Sequence, residues 1–274
     1  MLRRSFAASL FALLAVVAVV LGACSSAPAA PALTDPKDIL THTASSLANV
    51  KTVEFTGSFT GSIKAQAMGD FDLSSVKIAG QADIPNKKAK VSIDAPTLLG
   101  TKIDAILVDM TAYVKIAGPL AVPLHASADT WMKIDVPASS GNPVDAATNP
   151  SQAVQQAQDA LNKLPTPPVK QADEKCGDQD CYHVTITVSA ADMQKLDPTS
   201  SVSGDVKIDV WSRKSDYRPA KIAINVATVD MGSFGATFEF TYDGSVSIEA
   251  PPADQVVTPS FSLPGFGLPS LPTQ

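Results

Sequence analysis

Three cysteines and three histidines are the residues of this 274-residue chain best suited to nucleophilic, redox or metal chemistry. Cys176 and Cys181 flank Gly177-Asp178-Gln179-Asp180, a short polar turn that leads into the strand-like run Tyr182 to Val188. In an oxidising compartment this spacing suggests a disulfide that pins a hairpin, worth about 2 kcal/mol for so small a loop. The rival reading is a metal site using both thiolates, His183 and a carboxylate. Such a site needs four ligands at suitable spacing, and the sequence offers no second Cys or His pair. His42, His125 and His183 fall on a predicted helix, a loop and a strand. None sits beside a serine or cysteine in a nucleophile context, and each reads as a surface residue. A nucleophile elbow, a phosphate-cradling glycine loop and a paired-histidine motif are all missing from the sequence. The expectation is therefore no catalytic residue, no metal, no cofactor and no enzymatic activity.

Cys24 has a different context. Arg3 and Arg4 give a positive start, Phe6 to Val20 form an almost purely apolar run, and Leu21-Gly22-Ala23 place small residues before the thiol. The layout is a secretory signal, too short and wrongly flanked for a stable transmembrane helix. It resembles the bacterial lipobox, with Leu21 at −3 and Cys24 at +1, so residues 1–23 read as a lipoprotein signal peptide and Cys24 as the lipidated residue. Residues 24–34, rich in serine, alanine and proline, read as a flexible tether. Cleavage removes Arg3 and Arg4 and no acid, leaving 19 basic against 27 acidic residues, a formal charge of −8. Phosphate backbones repel such a surface, so no nucleic-acid partner is expected. The expected location is the cell membrane, lipid-anchored, on the extracytoplasmic side.

The elements that position these residues follow from periodicity. Asp35 can cap a helix with Pro36 in its first turn, and Ile39, Leu40, Thr43, Leu47 and Val50 recur at helical spacing. Alternation of period two then takes over. Val53, Phe55, Gly57, Phe59, Gly61 and Ile63 share one face, followed by Val76 to Ile84 and by Ala89 to Ala95. Apolar residues become denser from Lys102 to Ile116, with a turn at Asp109 to Thr111, and Thr130 to Val136 adds a strand with Trp131. A helix is predicted from about Pro150 to Leu164, stopped by Pro165, Pro167 and Pro168. Strands return over Tyr182 to Val188, Val206 to Val210, Ile222 to Val226 and Phe234 to Tyr242, with a short helix over Ala190 to Leu196. Val246 and Ile248 extend the last alternation, and residues 250–274 form a proline-rich tail expected to be disordered. The fold class is α+β: one curved antiparallel sheet, residues 35–249, with helices covering one face.

The alternating face mixes Phe55, Phe59, Ile78, Ile84, Val91 and Ile93 with Gly57, Gly61, Gly80, Ala82, Ala89 and Ala95. Small residues there mean either close helix–sheet packing or unfilled volume, and glycines also permit sharp curvature. The sharper alternative is an apolar cavity lined by Phe55, Phe59, Ile78, Gly80, Ala89, Val91 and Ile93.

The lipobox, the capped helix, the long sheet and the segments Asp209-Val210-Trp211-Ser212-Arg213 and Tyr217-Arg218-Pro219-Ala220-Lys221-Ile222 together carry a resemblance. Over Asp35 to about Glu249 the chain resembles the LppX/LprA/LprF/LprG lipoproteins of mycobacteria and related actinobacteria, and more distantly the LolA/LolB half-barrels. The resemblance implies a half-barrel with an apolar cavity for acyl chains, and hence a carrier of a lipid or glycolipid across the cell envelope. A rival reading is an envelope sensor or accessory module that contacts a protein such as a transporter and holds no lipid.

Overall fold

A computed structural model describes residues 32–65, 69–97, 99–122, 128–135, 161–196, 204–228 and 232–258, together with Gln155, Gln158 and Asp159. Cys24, His125 and most of the predicted 150–164 helix lie outside the described residues, although Gln155, Gln158, Asp159 and residues 161–163 are helical.

The folded unit begins at Asp35. Its carboxylate accepts from the amides of Lys37 and Asp38, at 2.7 and 3.2 Å, and opens helix α1, Pro36–Ser46. Satisfying these otherwise orphaned donors stabilises a helix by about 1 kcal/mol. A second helix, α2, spans Ala190–Leu196 as predicted. Fourteen strands are described: β1 Thr52–Ala65, β2 Gly69–Asp72, β3 Lys77–Asp83, β4 Lys88–Ala95, β5 Thr101–Val108, β6 Thr111–Ala117, β7 Trp131–Asp135, β8 Val169–Lys170, β9 Glu174–Cys176, β10 Gln179–Val188, β11 Val206–Arg213, β12 Pro219–Thr228, β13 Gly232–Tyr242 and β14 Val256–Val257. They form one curved, unclosed sheet in the order β14-β7-β6-β5-β4-β3-β1-β13-β12-β11-β10-β8, with β2 on β1 and β9 on β10. All pairings are antiparallel except the short β14–β7 contact. The edges on this path, β14 and β8, are two residues long, which limits the unpaired backbone they offer.

Asp109 and Met110 join β5 to β6, and both have positive φ, 49° and 64°. Two left-handed residues in a two-residue link match the right-handed twist of the strands it joins. At Gly61, φ +86°, β1 leaves its partner β13 and continues against β2. A Cβ there would lie 2.1 Å from the Ser233 carbonyl oxygen, so only glycine permits the corner.

The core is uneven. α1 lies against β10, and Ile39, Val184 and Ser212 are completely buried there. The Thr43 and Ser212 hydroxyls meet at 2.6 Å, and His42 and Tyr182 both stack on Tyr217. On the opposite face, Ile106, Trp131 and Ile248 form a second buried cluster with Tyr113 and Val246. Two sequence expectations change here. The chain leaves the sheet after Tyr242, so Val246 and Ile248 do not extend β13 but cover Ile106 and Trp131. Residues 250–258 carry a 3-10 turn at Ala253–Gln255 and then β14, rather than belonging to a disordered tail. Trp131 and Ile106 point to the otherwise polar face and have to be shielded from water, which supplies the driving force.

Candidate functional site: the apolar sheet face

Strand register decides which side chains share a surface. One row runs Ile116, Ile103, Ile93, Ile78, Gly57, Phe238, Ile222, Val210 and Val184, crossing nine strands without a polar residue. At the usual spacing between neighbouring strands it is about 38 Å long. A parallel row holds Met132, Val114, Ala105, Val91, Gly80, Phe55 and Phe240. A third holds Ile134, Ala112, Leu107, Ala89, Ala82, Val53 and Tyr242. The seven residues named for a cavity lining all lie on this face, Phe59 beside Ala236 and the other six in these rows.

Burial along the first row is uneven: Ile116, Gly57, Val210 and Val184 are buried, whereas Ile103, Ile93, Ile78, Phe238 and Ile222 keep part of their surface exposed. An apolar floor thus keeps part of its surface accessible where a packed domain would seal it. Helix α1 lies against β10; the described residues show neither the expected covering of the face by helices nor an enclosed cavity.

The glycines are not vacancies. A Cβ on Gly80 would stand 2.3 and 2.4 Å from Cε1 and Cζ of Phe55, and one on Gly57 would stand 2.3 Å from Ile78. Gly80 is therefore the seat of the Phe55 ring, an aromatic covering the bare backbone of a neighbouring strand. This settles the alternatives at these two positions in favour of close packing, between strands and not between helix and sheet. Phe59, Phe238, Phe55, Phe240 and Tyr242 continue as a ladder with ring centroids 6.3–6.4 Å apart. Sequence reasoning missed β13 as half of this ladder, although its alternation of Phe234, Phe238 and Phe240 was visible.

The ladder ends at a polar rim. The Tyr242 hydroxyl donates to the Pro219 carbonyl at 2.9 Å, and burial pushes its ionisation up despite the nearby arginines. Arg213 and Arg218 lie 5.2 and 5.5 Å from its ring centre and pair with Asp216 and Asp243.

The other face is polar, and His183 is less of a surface residue than expected. Its Nδ1 and Nε2 lie 2.9 Å from Glu174 and 3.0 Å from Asp209, and its ring stacks on Trp211 at 4.3 Å. The Trp211 indole N–H also donates to Glu174. Burial works against the charge of Asp209, but hydrogen bonds from Thr185, Lys207 and His183 outweigh it and hold the carboxyl below its ordinary value. This network anchors the β9–β10 hairpin, which is closed by the Cys176–Cys181 disulfide with Cα atoms 6.0 Å apart. Beneath the hairpin an open cleft of about 750 Å³ is lined by both signs of charge, Lys90, Lys175 and Lys221 with Glu54, Asp178 and Glu239. Among the described residues no cluster of His, Cys, Asp and Glu has the arrangement of a metal site, and no helix is long and apolar enough to cross a membrane.

No family model matches the sequence, and no curated protein matches it. Solved structures do. The Mycobacterium tuberculosis lipoprotein LppX aligns over 78% of this chain and 98% of its own, with a TM-score of 0.49 and 12% identity. LprF from Mycobacterium bovis aligns over 79% and 96%, with a TM-score of 0.48 and 10% identity. The structural neighbours of this chain thus include the mycobacterial lipoproteins LppX and LprF, at 10–12% identity.

Proposed function

We propose that this protein is a lipoprotein, anchored to the extracytoplasmic side of the cell membrane by a lipid on Cys24, that shelters the acyl chains of a lipid or glycolipid against its apolar sheet face and carries them across the envelope. The observation that carries the reading is the partly accessible apolar floor running across nine strands. An acyl chain transferred through water exposes about 0.8 kcal/mol of unfavourable surface per methylene, so carriage needs an apolar surface of this extent. The anchor keeps the carrier at the membrane, and the floor recognises hydrocarbon without prescribing a headgroup.

Ala89 provides the test. It is half-buried on the floor between Ala82 and Leu107. Ala89→Trp should keep the melting temperature and lose binding of a fluorescent long-chain acyl probe. A folded variant that binds the probe as the wild type does would place the acyl chain elsewhere. Gly80→Trp is unsuitable, because the Phe55 ring already occupies that space.

A further inference from the structure

Two neighbouring connections at one end of the sheet expose apolar side chains on braced backbones. In the β4–β5 link, Leu99 has φ +57° and is 73% exposed. A bulky residue in the left-handed region at a solvent-facing tip gains neither backbone comfort nor burial. The tip is nonetheless held firmly. The Gly100 amide donates to the Pro96 carbonyl at 2.9 Å, and the Thr97 hydroxyl donates to the Asp72 carbonyl at 2.7 Å while accepting from Ser75 at 3.1 Å. Ala95 and Thr101, at its base, are buried. Beside it, the 3-10 turn Pro119–Ala121 sinks Ala121 into a cluster with Ile116 and Met132 and leaves Val122 75% exposed. The two links touch: a Cβ on Gly118 would lie 3.0 Å from the Thr101 Cα and 3.1 Å from the Gly100 oxygen. The sequence has no charged residue from Ala95 to Thr101 or from Ala117 to Leu124.

We propose that these paired loop tips insert into the boundary between headgroups and acyl chains of a phospholipid bilayer, seating this end of the sheet on the membrane. A stable protein interface needs about 800 Å² of complementary surface on each partner, far more than the exposed side chains of Leu99 and Val122 offer. A bilayer needs no complementary shape and takes apolar side chains about 5–10 Å deep. The acidic chain makes electrostatic attachment to anionic lipids unfavourable, so the contact is apolar and insensitive to salt. The inference stands whether or not the sheet face carries a lipid.

The test uses the full chain carrying Cys24→Ala, so that the introduced thiol is the one outside the disulfide, in phosphatidylcholine vesicles, with an environment-sensitive fluorophore on Leu99→Cys, on Val122→Cys, or on Asn86→Cys in the β3–β4 turn at the opposite end of the sheet. Lipid-borne nitroxides should quench the labels at 99 and 122 several-fold more than the label at 86, at low and at high salt. Adding Leu99→Asp should move the label at 122 back into water without changing the melting temperature. Equal iodide access at all three positions would overturn the proposal. So would protection at 99 that appears without vesicles as protein concentration rises, which would assign the tips to a second copy.

Discussion

Gly80→Ala adds one methyl group where the Phe55 ring already fills the space. On an open strand, alanine for glycine stabilises by about 0.5–1 kcal/mol through the entropy of the unfolded chain. Here the new Cβ would lie 2.3 Å from the Phe55 ring, so the ring has to turn away. Leaving its rotamer costs about 0.5–1.5 kcal/mol, and overpacking a filled site costs about 1–3 kcal/mol. Because Phe55 is only half-buried and its ring edge can yield, the lower end applies, giving a net loss of about 1 kcal/mol. With a urea m-value of about 2 kcal/mol/M, the unfolding midpoint falls by about 0.5 M at unchanged m. In a Phe55→Ala background the ring is gone and the new Cβ is close only to the Lys90 carbonyl oxygen, at 3.1 Å, so most of the loss is relieved and the two sites couple by about 1 kcal/mol. A Gly80→Ala substitution that stabilises the wild type, or that acts equally in both backgrounds, would refute the assignment of Gly80 as the ring's seat.

Alkylation without reductant should leave Cys176 and Cys181 unmodified, and their reduction should lower stability by about 2 kcal/mol in urea titrations; two reactive thiols in the unreduced protein would contradict this. Asp209 is held below its ordinary carboxylate value in the folded state, so its stabilising contribution is present above about pH 4 and is lost as pH falls through the lower folded value. Urea midpoints should therefore drop as the pH falls below about 4, less steeply in Asp209→Asn, and parallel profiles for the two proteins would remove Asp209 from the explanation. Cys24→Ala should abolish incorporation of a fatty-acid probe and release the protein from membranes, and a labelled variant would move the anchor elsewhere.

Alternation made most of the sheet legible. β1, β3, β4, β10 and β13 fall where period-two patterns place them, and α2 matches its predicted span, because local amphipathicity and burial agree there. The floor was only half legible. Strand order sets β1 between β3 and β13, and nothing in the sequence announces that Phe55 has Phe240 as its neighbour on one side and Gly80 on the other. The glycines therefore suggested space that cross-strand rings in fact occupy. Short strands such as β2, β8 and β14 owe their form to partners distant in sequence and carry almost no pattern of their own. Val246 and Ile248 alternate like a strand but serve Trp131 and Ile106, whose exposure on the polar face only the register reveals. His183 looked isolated because Glu174, Asp209 and Trp211 reach it across three strands.

A carrier of acyl chains should leave its producing cell with cargo on the apolar floor. A form lacking the signal and Cys24, purified from its native host without detergent, can be extracted with organic solvent and the extract analysed by mass spectrometry. The expected result is a long-chain lipid or glycolipid in near-stoichiometric amount, lost from a folded Ala89→Trp protein. A lipid-free extract from correctly folded wild-type protein would contradict it.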